Sequence, residues 1–188
     1  AKLQPAMSSG LVSFAQARGS ITSKGADVVE KLTGVPTFHV FGMTEGVIMF
    51  THPSDPAEAR YRTVGRPISP HDEVKILRPG TEEELPLGEV GEPAFRGPYT
   101  VHGYHDAAER NAEAFTSDGF YRSGDLMSKR VIDGKVYHVC EGRIKDVVDR
   151  GGEKINAEEV ETAVNTHPAV AASAVIGLKD PLLGERMC

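Results

Sequence analysis

Val35-Pro36-Thr37-Phe38-His39-Val40-Phe41-Gly42-Met43-Thr44-Glu45-Gly46 is the stretch from which the fold is read. Val35 to Phe41 predicts a buried strand. Gly42 to Gly46 predicts a polar, glycine-bracketed loop at its end, where open α/β sheets place ligands. Glycine on either side lets backbone approach a ligand, and Thr44 offers a hydroxyl to an anionic oxygen. Glu45 is a hard oxygen donor suited to Mg²⁺ held against phosphates. The same residues also read as a strand-to-helix loop in which Thr44 and Glu45 merely cap, and local chemistry leaves both readings standing.

Upstream, Ser8-Ser9-Gly10 reads as a small-residue loop, and Ala26, Val28, Val29 and Leu32 recur at helical spacing before a Gly34 stop. Downstream, the short runs Val64 to Ile68, Val74 to Leu77 and Pro93 to Phe95 are separated by Pro-Gly and Leu-Gly-Glu turns. That spacing predicts a small barrel or sandwich. Asp106-Ala-Ala-Glu109 and Asn156-Ala-Glu-Glu159 read as capping boxes opening helices that run to about Phe115 and Asn165. Asp133-Gly134 is a two-residue hairpin signal, and Val170 to Gly177 reads as a further strand after His167-Pro168.

The 188 residues carry 27 acidic against 21 basic groups, a net charge of −6, which is not the basic footprint of a nucleic-acid binder. An apolar share of 39% is ordinary for a folded chain, and 20 glycines with 12 prolines favour a turn-rich one. The longest nearly unbroken apolar run, Ala169 to Leu178, falls well short of the ~20 residues of a membrane helix, so no membrane span and a cytoplasmic protein are expected. Cys140 and Cys188 lie far apart with no Cys-x-x-Cys, which makes reduced thiols the default. The chain has no initiator Met and stops soon after a strand-like run, and it reads as a piece of something larger.

Two further blocks carry chemistry. Ser123-Gly124-Asp125 follows Asp118-Gly-Phe-Tyr-Arg122, and Gly142-Arg143-Ile-Lys-Asp146 precedes Gly151-Gly152-Glu153-Lys154. A glycine-flanked carboxylate is well made to accept from a ribose diol, and an arginine can donate to that diol or to a phosphate. Singly, these residues read equally as a turn aspartate and a surface arginine. Their order and spacing resemble the adenylate-forming superfamily of acyl and aryl acid ligases. Phe-Gly-Met-Thr-Glu at 41 to 45, Arg96-Gly97 with Gly103-Tyr104, Asp118 to Asp125 and Gly142 to Asp146 match its blocks in sequence. Gly65 to Glu73, Arg96-Gly-Pro-Tyr-Thr100, Gly151 to Lys154 and Gly184-Glu-Arg186 look most like stand-alone aryl-AMP ligases, which activate 2,3-dihydroxybenzoate or salicylate for siderophore assembly.

The resemblance implies an α/β and β-barrel fold: the end of a layered α/β subdomain, a distorted barrel over about 47 to 142, and the start of a small mobile α+β domain. The boundary falls between 144 and 145. It implies that an acid is joined to the α-phosphate of ATP with loss of pyrophosphate, and that a pantetheine thiol of an aryl carrier protein or CoA then takes the acyl group. By matching position, Glu45 would hold Mg²⁺, Thr44 would bond the α-phosphate, and Phe41 with Gly42 would border the adenine. Asp125 would take the ribose hydroxyls, with Arg143 beside them. Lys145 would be the hinge, and Gly151 and Gly152 would border the thiol tunnel. Cys140 falls before Gly142, either lining the nucleotide pocket or as an inert buried thiol. Ser8-Ser9-Gly10 departs from the family's Gly-Gly-Ala type segment. The family's phosphate loop and catalytic lysine lie outside this stretch, so the chain alone is expected to be inactive. The alternatives are an acyl- or aryl-CoA ligase and, from another class, a non-catalytic nucleotide-binding or scaffold module.

Overall fold

The structure, a computed structural model, describes residues 23–188. Ser8-Ser9-Gly10 lies outside the described residues. In chain order the elements are α1 (Ser23–Thr33), β1 (Val40–Met43), β2 (Gly46–Phe50), α2 (Ala57–Arg62), β3 (Arg66–Pro67), β4 (Glu73–Leu77), β5 (Glu92–Arg96) and α3 (Ala108–Ala114). There follow β6 (Tyr121–Arg122), β7 (Asp125–Ile132), β8 (Lys135–Arg143), a single 3₁₀ turn (Ile144–Asp146), β9 (Val147–Arg150), β10 (Glu153–Asn156), α4 (Ala157–Val164), β11 (Gly177–Asp180) and β12 (Gly184–Met187).

The strands form four small sheets: β1-β2-β3, β4-β5-β6, β7-β8 and β10-β9-β12-β11. Mixed α/β content is as expected, but the strands do not close into a barrel among the described residues. Instead, isolated pairings of Gly65 with His138 and Gly91 with Met127 stitch the first three sheets together. Their common core is Val47, Met49, Val64, Ile76, Leu85, Phe95 and Met127, drawn from all three sheets. Burying seven such side chains at about 1.5–3 kcal/mol each makes this cluster the main driving force for that half of the molecule. The sheet β10-β9-β12-β11 stands apart from it, with only Val148 and the helix residue Ala157 deeply buried.

Three local expectations need correction. Residues 36–39 precede the first strand rather than belonging to it: Pro36 has no N–H to give a ladder, and the Thr37 N–H donates instead to the Glu30 carboxylate. Asp106 does not cap α3, whose N-cap is Ala107 without a side-chain bond. Asp106 sits at φ 49° and its carboxylate faces His105, one residue too early to reach the helix amides. Residues 170–175 form no ladder either. The Val175 N–H goes to the Glu161 carboxylate, and pairing begins with the reciprocal backbone bonds of Ile176 and Cys188 that lead into Gly177–Asp180. The remaining signals hold. Gly34 caps α1 through a bond to Glu30 O, and Asn156 caps α4 by accepting from the Glu158 N–H at 3.0 Å. Asp133 and Gly134 turn at φ 48° and 73° between paired Ile132 and Lys135, the left-handed pair that a two-residue hairpin needs.

Candidate active site

No helix follows Glu45, so the reading of 42–46 as a strand-to-helix cap does not hold. Met43 pairs with Gly46, which makes Thr44-Glu45 the turn of the β1–β2 hairpin. The register slips between Gly42 and Met43, leaving Val47 as an extra residue at φ 52°. A β-branched side chain in the left-handed region is an outlier, and such strain persists only where surrounding structure enforces it. Here Val47 is buried in the core cluster. Gly46 is required by its neighbours: a Cβ would lie 2.6 Å from Thr100 Cα, because the Val101 N–H donates to Glu45 O and brings that segment over the turn.

The hairpin presents a carboxylate with both oxygens engaged. Thr44 Oγ1 donates to Glu45 Oε2 at 2.9 Å and the Tyr104 hydroxyl to Oε1 at 2.9 Å. Burial pushes the Glu45 carboxyl up, but these bonds and the Arg110 charge outweigh it and hold the group below the usual carboxylate range. Tyr121 stands behind, its hydroxyl 3.1 Å from that of Tyr104, and burial and Tyr104 push its phenol well up. Phe41 packs on Phe95 with ring centroids 6.1 Å apart at the edge of the core cluster.

The second group lies across the β7–β8 ladder, where Asp125 and Arg143 are register partners. Arg143 Nε donates to Asp125 Oδ1 at 3.0 Å. Burial raises the Asp125 carboxyl above its ordinary value despite Arg143 and Ser123. Cys140 is half-buried against the core cluster, and burial raises its thiol. Thus Thr44 and Glu45 form one cluster and Asp125 and Arg143 another, with Phe41 and Cys140 packed against the core cluster. Lys145 is exposed in the 3₁₀ turn after β8. Gly151 and Gly152 border a separate open cavity of about 910 Å³ with Lys179, Leu183 and Glu185.

Sequence reasoning missed the partners of Glu45. Tyr104 and Tyr121 belong to the family's blocks, which imply no role for them, and Arg110 and Asn111 carry no signal because their partner, Tyr104, lies outside helix α3.

A single ionised carboxylate is what Mg²⁺ bound mainly by phosphates and water requires, and Glu45 supplies one, held despite its burial below the usual carboxylate range by the hydroxyls of Thr44 and Tyr104. The residues present therefore fit the metal. Among the described residues no cluster of three or more His, Cys, Asp or Glu competes for it. No helix described is long and apolar enough to cross a membrane.

Residues 5–105 match the family described as AMP-binding enzyme. The chain is 49% identical to Pyochelin synthase PchD of Pseudomonas aeruginosa, over 88% of this chain and 30% of that protein. It is 44% identical to 2,3-dihydroxybenzoate-AMP ligase of Bacillus subtilis, over 89% and 30%. It is 46% identical to Salicylyl-CoA synthase / salicylate adenylyltransferase of a Streptomyces species, over 85% and 28%. Among solved structures, apo MbtA of Mycobacterium smegmatis superposes with a TM-score of 0.67 at 40% identity, covering 95% of this chain and 33% of that one. The chain thus spans about a third of the length of the proteins it matches.

Proposed function

The chain belongs to the AMP-binding enzyme family, and from that membership we propose that it is part of an ATP-dependent acid ligase. This ligase forms an aryl adenylate, with 2,3-dihydroxybenzoate or salicylate as the acid, and passes the aryl group to a pantetheine thiol. The observation that carries the reading is that the Glu45 turn and the Asp125–Arg143 pair both extend from strands packed on one core, in a chain 44% identical to a 2,3-dihydroxybenzoate-AMP ligase.

In this reading Asp125 accepts from the ribose hydroxyls and Arg143 donates beside it, fixing the nucleoside. Thr44, whose single proton faces Glu45 Oε2 in the free site, turns it on nucleotide binding to an α-phosphate oxygen, where charge develops as the acid carboxylate attacks and pyrophosphate leaves. Phe41 and Gly42 border the adenine. Glu45 holds Mg²⁺, which when bound neutralises phosphate charge. The acceptor has a second reading, CoA, favoured by the 46% identical relative whose name joins a CoA synthase to an adenylyltransferase. ATP–pyrophosphate exchange by the complete enzyme against hydroxybenzoates, benzoate and fatty acids tests the proposal. Exchange confined to hydroxybenzoates supports it, and exchange with fatty acids alone contradicts it. Offering carrier protein and CoA to the same preparation decides the acceptor.

A further inference from the structure

The Glu45 carboxylate is held by more than its own turn. Oε1 accepts from the Tyr104 hydroxyl at 2.9 Å. A phenol has one proton, so Tyr104's oxygen, 3.1 Å from that of Tyr121, must there act as acceptor, and the chain of donors runs from Tyr121 through Tyr104 to Glu45. An ionised carboxylate can only accept, which gives the chain a single direction.

Tyr104 is itself clamped by α3. The Asn111 side chain closes on its main chain from both sides, Oδ1 accepting from the Tyr104 N–H at 2.7 Å and Nδ2 donating to its carbonyl at 2.9 Å. The preceding Gly103 leaves room for that amide, since a Cβ there would lie 3.2 Å from Nδ2. The Arg110 guanidinium carbon lies 3.9 Å from the centre of the Tyr104 ring. In the free site Thr44 takes the other carboxylate oxygen, and once its proton turns to phosphate the Tyr104 hydroxyl is the one of the two that stays on the carboxylate.

We propose that Tyr104, seated by Asn111 and Arg110, is a positioning residue that fixes the plane of the Glu45 carboxylate for the Mg²⁺ of bound ATP. This rests on the reading of Glu45 as a metal-holding group. A merely structural tyrosine would steady the hairpin without changing what Mg²⁺ adds to nucleotide binding.

Tyr104→Phe keeps the ring beneath Arg110 and removes only the hydroxyl. The test is calorimetric titration of the complete enzyme with ATP, in excess Mg²⁺ and in EDTA. Affinity in EDTA should equal that of wild type, while the gain conferred by Mg²⁺ falls about tenfold, the scale of losing one hydrogen bond to a charged group. In pyrophosphate exchange, kcat should fall with KM for the acid unchanged. Placed in a Glu45→Gln background, Tyr104→Phe should add nothing, because both act through one group. If Glu45→Gln abolishes the Mg²⁺ gain and Tyr104→Phe leaves it intact, the positioning role is overturned alone. If Glu45→Gln keeps the gain, the metal reading beneath it is overturned as well. Should Tyr104→Phe melt early, Tyr121→Phe is read in the same way: a smaller drop in the Mg²⁺ gain supports the proposal and no drop overturns it.

Discussion

Burial and charge pull Asp125 in opposite directions. Its side chain is only 14% exposed while that of Arg143 is 50% exposed, so the pair loses more by desolvation than a half-solvated guanidinium returns, and the carboxyl sits above its ordinary value. A carboxyl raised in the folded state adds stability below its unfolded value of 3.8, and that stability is lost as pH rises through the folded value. At neutral pH the ionised Asp125 is therefore a cost to folding that a ligand can offset. Asp125→Asn in the complete enzyme should melt no lower than wild type at pH 7, yet bind ATP roughly 10- to 100-fold more weakly. A lower melting temperature with unchanged ATP affinity would make Asp125 structural. Glu30 is the opposite case. Burial opposes its charge, but bonds from Tyr61, Thr37 and Arg60 prevail and lower it from 4.5 to about 2. Its stabilisation is present above 4.5 and lost as pH falls toward 2. Glu30→Gln should destabilise by about 1–3 kcal/mol at pH 7. Thermal melts across pH check this, and the gap from wild type should narrow between pH 4.5 and 2.

At the scale of elements, the joint between β8 and β9 is one 3₁₀ turn with Lys145 exposed at its centre. Proline fixes φ near −65°, a value this turn type already uses, so Lys145→Pro should lock the joint rather than unfold it. If Lys145 is a hinge, pyrophosphate exchange should survive while carrier loading falls. Equal loss of both at unchanged melting temperature would remove the hinge. What was legible in the sequence at this scale followed from residues that decide locally. Asp133-Gly134 could only turn, Gly34 could only cap, and Asn156 had its helix amides within reach. What failed was decided elsewhere in the chain. The Thr37 amide was taken by a carboxylate seven residues back and the Val175 amide by one fourteen back, and neither theft leaves a periodic trace. The Tyr104–Glu45 bond spans 59 residues and was equally silent, although both ends lay in recognised blocks.

In the whole molecule, one apolar cluster gathers three sheets and carries the Glu45 hairpin and the Asp125 ladder on its margins, while residues 147–187 form a sheet of their own. We propose the domain boundary between 144 and 145 on this division. Asn156 crosses it, capping α4 with one side-chain atom and donating to Glu141 O with the other, so the arrangement seen is one that a single amide helps hold. The central claim, that the β1–β2 turn is the catalytic end of an acid-adenylating enzyme, is tested most directly by hydroxybenzoate-dependent ATP–pyrophosphate exchange in the complete enzyme with Glu45→Gln beside wild type. A loss of roughly 10²- to 10³-fold in rate, the scale for removing one preorganised charge-stabilising group, is the expected result. Exchange at the wild-type rate in Glu45→Gln would contradict it.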